Sequence, residues 1–575
     1  MPRGRGDKGA TLIDTIVGTA LILLVFIGIT GAFQLSLDVV TNNRVRAGAI
    51  ALLNERMEYL RSLSYTQIGV EGGIPAGIVP QIEVVSWNAI DYTRRTSVMY
   101  SDDPEDGLGV DDENDIIADY KTIRVEVSWQ SKQGERSVTL LGRVSPHGVE
   151  VAVPGGILTI NVVDADAQPM PDAQVDISNT GTSPAINIRT YTNENGQISF
   201  IGAPAASNYQ ITVSRPGYST AQTYAVSVQN PDPDPRHLTV ADNQTTSATF
   251  AIDVVSTKTV ETYRLYEEDE WEDTFSTADF VAVASGVEVG GGSVYFAGEA
   301  PYPSSGSLRS TTIAPSQLIG WNAVSWTDST PAQTNILYRV YTGSDVLIPD
   351  SDLPGNSAGF STSPIDISGL SSVTYPSLRL DAEFATTDEN QSPLLEAWNV
   401  SYDYGPIALP NTPFSMRGSK TIGNNPTVYK YNQTHNSGAG ASVTLSSIEW
   451  DTYELSIATT TGYNLAESCN PQPEALSPGS SQTSRLYVLP YTPHTLLVDV
   501  RSGGGQLIAG ASVRLSDGAG YDETFPTSAC GQVFFPDLTA GVYSMTVTAD
   551  GYQSYSNSNV NVFDVSEFSA VLTSL

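Results

Sequence analysis

From Thr15 to Phe33 the chain carries no charged residue. Coiled as a helix at ~1.5 Å per residue, that run is roughly 28 Å long, close to the hydrocarbon thickness of a membrane. A segment apolar all round has to be surrounded by lipid or by other apolar helices, so this run constrains the fold more than any other stretch. After Phe33 the helical pattern changes but does not stop. Ala49, Leu52, Leu53, Met57, Leu60 and Leu63 recur at spacings of three and four, and Asn54, Glu55, Glu58 and Arg61 fill the other faces. The spacing predicts one helix over residues 10–63, ~80 Å long, with a membrane span at about 12–33 and an amphipathic second half.

Ahead of the apolar run stand Arg3, Arg5 and Lys8 against Asp7. Basic residues so near a span favour the cytoplasmic side, which predicts a single-pass protein with its remaining domains outside the cytoplasm, at the cell surface. The sequence Lys8-Gly9-Ala10-Thr11-Leu12-Ile13-Asp14 resembles the type IV prepilin signal shared by pilins and type II secretion pseudopilins. Ala10 stands where Phe or Met is commoner, and Asp14 where Glu is usual. The resemblance implies a leader, residues 1–9, cut after Gly9 by a prepilin peptidase, with methylation of Ala10. It also implies that Asp14 pairs with the free amine of a neighbouring subunit. Removing one partner of such a buried pair costs roughly 3–5 kcal/mol, so Asp14 would specify register during assembly with other pilin-like subunits.

Residues 64–150 hold four strand-like runs, 78–85, 90–99, 120–129 and 136–144. Alternating Ile123, Val125, Val127 and Trp129 mark a half-buried antiparallel face suited to wrapping the amphipathic half of the helix. The fold class expected for the whole chain is multidomain and mainly β, with the long helix and its sheet followed by a series of immunoglobulin-like and jelly-roll-like sandwiches. At 575 residues, with 49 glycines and 34 prolines, the chain divides into several domains of short strands and turns.

Residues 151–255 carry Leu158–Val163, Gln174–Ile177, Asn195-Gly196, Tyr209–Val213 and Gly217-Tyr218 in succession. This order resembles the carboxypeptidase regulatory-like β-sandwich. It returns over 493–575 as Leu496–Val500, Gly510–Leu515, Cys530-Gly531, Gly541–Val547 and Gly551-Tyr552, and as a weaker copy over 407–492. Despite the family name such modules imply no peptidase chemistry; they space and present other domains. Residues 256–406 differ in character and read as a larger jelly-roll-like sandwich.

Three groups of residues invite a functional reading. The acidic loop 101–115 offers Asp102, Asp103, Asp106, Asp111, Asp112 and Asp115 with Gly107 and Gly109 for bends. Calcium takes six to eight oxygens at roughly 2.3–2.6 Å, and several pseudopilins carry a calcium loop in this part of the fold, so calcium is the one cofactor in view. A solvated acidic loop is the competing reading. Trp321, Trp326 and Trp398 could stack on sugar rings if exposed, or fill a core. Cys469 and Cys530 are the only two cysteines, and an exterior compartment permits their disulfide.

The charge of -35, with 28 Lys and Arg against 63 Asp and Glu, argues against nucleic acid as a partner. Four isolated histidines show no ligand or base-nucleophile spacing, and Gly355-Asn-Ser357-Ala-Gly359 lacks the strand-to-helix setting of a nucleophile elbow. No enzyme is expected. The expected function is a pilin-like subunit, minor or at the tip, of a type IV pilus or type II secretion-like filament, displaying a β-sandwich arm for contact with a surface glycan or protein. The alternative is a monomeric, membrane-anchored receptor for such ligands outside any filament.

Overall fold

The computed structural model describes residues 12–103, 105, 118–132, 134–147 and 153–575. It divides into two compact units, Met1–Val255 with Thr421–Tyr429, and Ser256–Lys420 with Lys430–Leu575.

The first unit begins with one unbroken helix, α1 (Leu12–Ser62). Its C-terminal half lies on an antiparallel four-stranded sheet in sequential order, β1 (Ile82–Trp87), β2 (Ile90–Ser101), β3 (Tyr120–Ser131) and β4 (Gly134–Val144). Val45, Ala49, Leu52, Leu53, Met57 and Leu60 meet Val98, Ile123, Val125, Val127 and Trp129 in one core. Both rows are those the sequence periodicity selects. Helix and sheet approach closely at Gly48, where a Cβ would come within 2.7 Å of the Tyr92 hydroxyl that donates to Val45 O. The first strand starts at Ile82 and not at 78, because residues 69–79 fold back on themselves. A Cβ on Gly77 would meet Gly69 N at 2.4 Å, which leaves no room for a pleated strand there.

Residues 156–251 of this unit form a two-sheet sandwich. Gly156–Val163 lies between Thr245–Ala251, parallel to it, and Gln197–Ala203, antiparallel. In the other sheet Gln174–Asn179 lies between Ile186–Tyr191 and Ala206–Ser214, which pairs with Ala221–Gln222. The sheet beside α1 is joined to this sandwich by polar contacts. The Tyr191 hydroxyl donates to Glu126 at 2.9 Å, and the Arg124 guanidinium sits 3.5 Å from the Tyr191 ring.

In the second unit the C-terminal sandwich repeats that layout. Thr495–Ser502 is parallel to Val565–Leu572 and antiparallel to Gln532–Phe535, and Ser512–Ser516 lies between Asp522–Pro526 and Gly541–Thr548.

The middle copy has the same layout with a displaced first strand. Ser256–Arg264 is parallel to Ser481–Pro490 and antiparallel to Ser442–Ile448; Pro413–Gly418 lies between Asn432–Asn436 and Asp451–Ser456. The boundary expected at 256 is therefore corrected. Residues 256–264 belong with 407–420 and 430–490, and the larger sandwich, from Glu267 to Tyr404, is an insertion between the first and second strands of the middle copy. The physical reason is visible in the core. Val260 packs with Phe414, Met416, Tyr453 and Leu486, whereas the core of the insertion begins only at Phe275.

Candidate assembly helix and surface sites

Along α1 the surroundings change abruptly. Leu21, Leu23, Val25, Phe26, Ile27, Ile29, Phe33, Leu35, Leu37, Val39 and Val40 are all more than half exposed, and Phe26 reaches 69%. A continuous apolar surface left exposed among the described residues along this half of the helix calls for an external apolar environment. The polar side chains on this segment are consistent with one. Thr30 Oγ1 donates to Phe26 O at 2.8 Å, Ser36 Oγ to Ala32 O at 3.0 Å and Thr41 Oγ1 to Leu37 O at 2.8 Å, so each hydroxyl is satisfied one turn back without water. Among the described residues α1 is the helix long and apolar enough to cross a membrane. The first charge after the apolar run, Asp38, is paired with Lys132 Nζ at 2.6 Å, beside the β3–β4 turn.

Below Asp38 the helix is anchored by buried cations. Arg56 pairs with Glu83 at 2.8 Å and donates to Thr96 Oγ1 at 3.2 Å, and Arg94 donates to Leu52 O at 3.3 Å while also bonding Glu83. Lys121 occupies the inward row of β3, next to Ile123. Its Nζ donates to Tyr65 O at 2.8 Å and Ile68 O at 2.7 Å, which fixes the chain just beyond the end of α1. Burial pushes the Lys121 ammonium down to about 8.

Asp14 falls in the first turn of α1. Gly9 and Ala10 lie outside the described residues, as do Asp106, Asp111, Asp112 and Asp115 of the acidic loop. Asp102 and Asp103 are described, at the end of β2. Asp103 N donates to Asp119 Oδ2 at 2.5 Å, so the buried Asp119 closes the base of the loop. The sequence reading missed Asp119 because it stands apart from the acidic run, directly before β3.

The three tryptophans are core residues, which corrects the sugar-stacking expectation. Trp321 and Trp398 are 1% exposed and Trp326 8%. Trp321 Nε1 donates to Tyr375 O at 2.8 Å, Trp326 stacks on Tyr338 with centroids 3.9 Å apart, and Trp398 packs on Phe275. Each sits on an inward position of an alternating strand, so no ring face is open to a ligand. Cys469 and Cys530 are joined in the structure, with Cα atoms 4.8 Å apart. Ser357 sits in a turn, where its backbone N–H and hydroxyl both donate to Asp350 and the neighbouring Asn356 amide holds Val340 and Ile348.

A buried ion pair of the middle sandwich also had no part in the sequence reading. Lys258 is fully buried, its Nζ bonds Glu474 Oε1, and it donates to Gln482 Oε1 at 2.8 Å; Ser484 Oγ also donates to Glu474 Oε1, at 2.5 Å. Burial lowers the Lys258 pKa and Glu474 opposes the shift. The available signal was a lysine on the inward beat of Ser256-Thr-Lys-Thr-Val260.

Residues 157–253 and 495–573 match the carboxypeptidase regulatory-like domain. No curated protein matches the chain. Similar solved structures include the Bacillus anthracis TIE protein, 9% identical over 86% of this chain and 74% of its own, TM-score 0.15. The major pilin subunit BcpA of Bacillus cereus is 9% identical over 73% of this chain and 100% of its own, TM-score 0.13. The minor pilin GBS52 of Streptococcus agalactiae is 10% identical over 30% of this chain and 86% of its own, TM-score 0.13.

Proposed function

We propose that the chain is a non-enzymatic pilin-like subunit that enters a type IV pilus or type II secretion-like filament through α1 and carries its sandwiches as an exterior arm. The observation that carries this reading is the division of α1. One half is sealed against an antiparallel sheet, and the other presents a bare apolar surface on which the hydroxyls of Thr30, Ser36 and Thr41 are already satisfied. A membrane can house that surface before assembly and neighbouring helices can house it afterwards. The resemblance of Gly9–Asp14 to the prepilin signal supports processing after Gly9 and a register set by Asp14. A body of this size on one spine suits low copy number or the filament tip.

N-terminal sequencing of the mature protein tests the proposal. A chain beginning at Ala10, with Asp14→Ala lost from sheared filaments while its sandwiches stay folded, is the expected result. An intact Met1 would overturn it in favour of a monomeric anchored receptor, and normal incorporation of Asp14→Ala would overturn the assembly route through Asp14. Calcium belongs to the same proposal, at the loop closed by Asp103 and Asp119. Calorimetry on EDTA-stripped protein should show binding, and silence at millimolar calcium removes the site.

A further inference from the structure

The insertion in the middle sandwich is suspended from two chain crossings that touch. Tyr263 pairs with Ala408 and Arg264 with Ile407, and a Cβ on Gly405 would lie 2.5 Å from Leu265 O. The antiparallel ladder of the insertion then starts immediately, at Glu267 opposite Tyr404. Upstream, Ser256–Arg264 is held on both sides. Its parallel register with the last strand runs from Thr257 with Ser481 to Arg264 with Val488, Ser442–Ile448 flanks it antiparallel, and Lys258 reaches across the core to Glu474.

We propose that the middle sandwich is a load-bearing link that keeps tension off the inserted sandwich. When the chain is pulled from its two ends, residues 265–406 carry no load until Ser256–Arg264 has been drawn out of its sheet. Its use as protection for an exterior arm rests on the reading above; the mechanics rest on topology alone.

Force enters the middle sandwich at Ser256 and, without a disulfide, leaves at Pro490. The first and last strands run parallel, so opposite pulls at those ends slide one along the other, and the hydrogen bonds between them have to yield together. The insertion is held differently. Its terminal strands are antiparallel, with Glu267 and Tyr404 opposite each other at the same end, so pulling them apart opens one pair at a time. A ladder loaded one bond at a time yields at lower force than one loaded all at once. Once the first strand has left, the insertion should open at the force already applied. With Cys469 joined to Cys530 the load leaves through Cys469 and residues 470–529 are withheld from extension. The first strand still precedes the insertion on the covalent path, so the order is unchanged.

Optical tweezers on the full-length protein, solubilised in detergent and tethered by peptide tags at its two ends, test this. Forced unfolding reads the barrier directly. The insertion should contribute about 480 Å of length, at ~3.4 Å per residue for 265–406. That gain is expected in the same event as, or after, release of the middle sandwich. Reduction should add about 200 Å for residues 470–529 and leave the order intact. A second tether, attached at the exposed Val373 in place of the N-terminal tag, bypasses the link and loads residues 373–406 of the insertion directly, so a gain of about 115 Å should then precede release of the middle sandwich. A 480 Å gain that precedes the middle sandwich under end-to-end load, or identical order and force from both tethers, would overturn the proposal. Neither outcome touches the mature N-terminus, so the filament reading stands or falls separately.

Discussion

The middle and C-terminal sandwiches share one strand layout and fill it differently. The first strand of the C-terminal copy sends Leu496, Val498 and Val500 into its core; that of the middle copy sends Lys258, Val260 and Thr262. The leucine at the start of the row is thus replaced by a lysine that needs Glu474, Gln482 and Ser484, and the last position bonds Leu409 O at 2.7 Å and Ser437 Oγ at 2.8 Å. An apolar row stabilises a sandwich by area and tolerates any neighbour of suitable volume. A charged row stabilises it only when every partner is in place. The copy interrupted by a large insertion is thus the one whose first strand is tied in by a specific, directional contact. Such a contact rejects a wrong strand in a way that leucine would not.

The largest expected effect breaks this contrast directly. Lys258→Met leaves Glu474 buried without its cation and should cost roughly 3–5 kcal/mol, while Lys258→Met with Glu474→Leu should recover most of that loss. Leu496→Ala in the C-terminal copy should cost about 2–5 kcal/mol and have no rescuing partner. Hydrogen exchange on the full chain, read separately over 256–264 and 495–502, measures both. Additive losses for Lys258 and Glu474 would mean that the pair is not coupled and that the two cores differ only in composition.

A second buried lysine lies in the domain around α1. Lys121 is as buried as Lys258 but faces backbone carbonyls, with its ammonium pushed down to about 8 by burial. Between pH 8 and its ordinary value near 10.5 the unfolded chain holds a proton that the folded domain does not. Stability of the domain around α1 should therefore rise as pH increases across that window. The rise is on the order of 2–3 kcal/mol, at about 1.4 kcal/mol per unit. Urea unfolding followed by a 19F-tryptophan signal at Trp129, from pH 7 to 10.5, reads it. The Lys121→Met variant should show a flatter profile, and an equal rise in that variant would move the cause elsewhere.

These lysines also mark where sequence reasoning stopped. The helix, the inward row of β3 and the flanking sandwiches were legible because apolar periodicity reports burial, and Ile123, Val125 and Val127 lie where their spacing puts them. Lys121 and Lys258 occupy inward beats of the same kind, and a pattern that scores lysine as solvent-facing cannot see them. The first strand of the middle copy was assigned to its sequence neighbours because nothing local at Arg264 announces that the next strand of its own sheet lies beyond Tyr404. That information is held in pairing across the insertion, Thr257 with Ser481 onwards. For the tryptophans, aromatic content was legible and exposure was not, since alternation places Trp326 and Trp398 inward only once the strand register is known.

The smallest expected effect tests whether burial, and not the lysine–carboxylate pairing itself, sets the energies above. Lys132 and Asp38 make such a pair at 2.6 Å between the β3–β4 turn and α1, with side chains 82% and 46% exposed. In water the attraction is screened and ordering two side chains offsets much of it, so exposed pairs contribute about 0–1 kcal/mol. Lys132→Ala should shift the unfolding of the α1 domain by less than about 0.5 kcal/mol, and molar salt should erase the shift. A loss that approaches that of Lys258→Met would show that Asp38 is not in water in the working protein. The contact that covers it would then have to come from outside the described residues, at the point where the bare half of α1 begins.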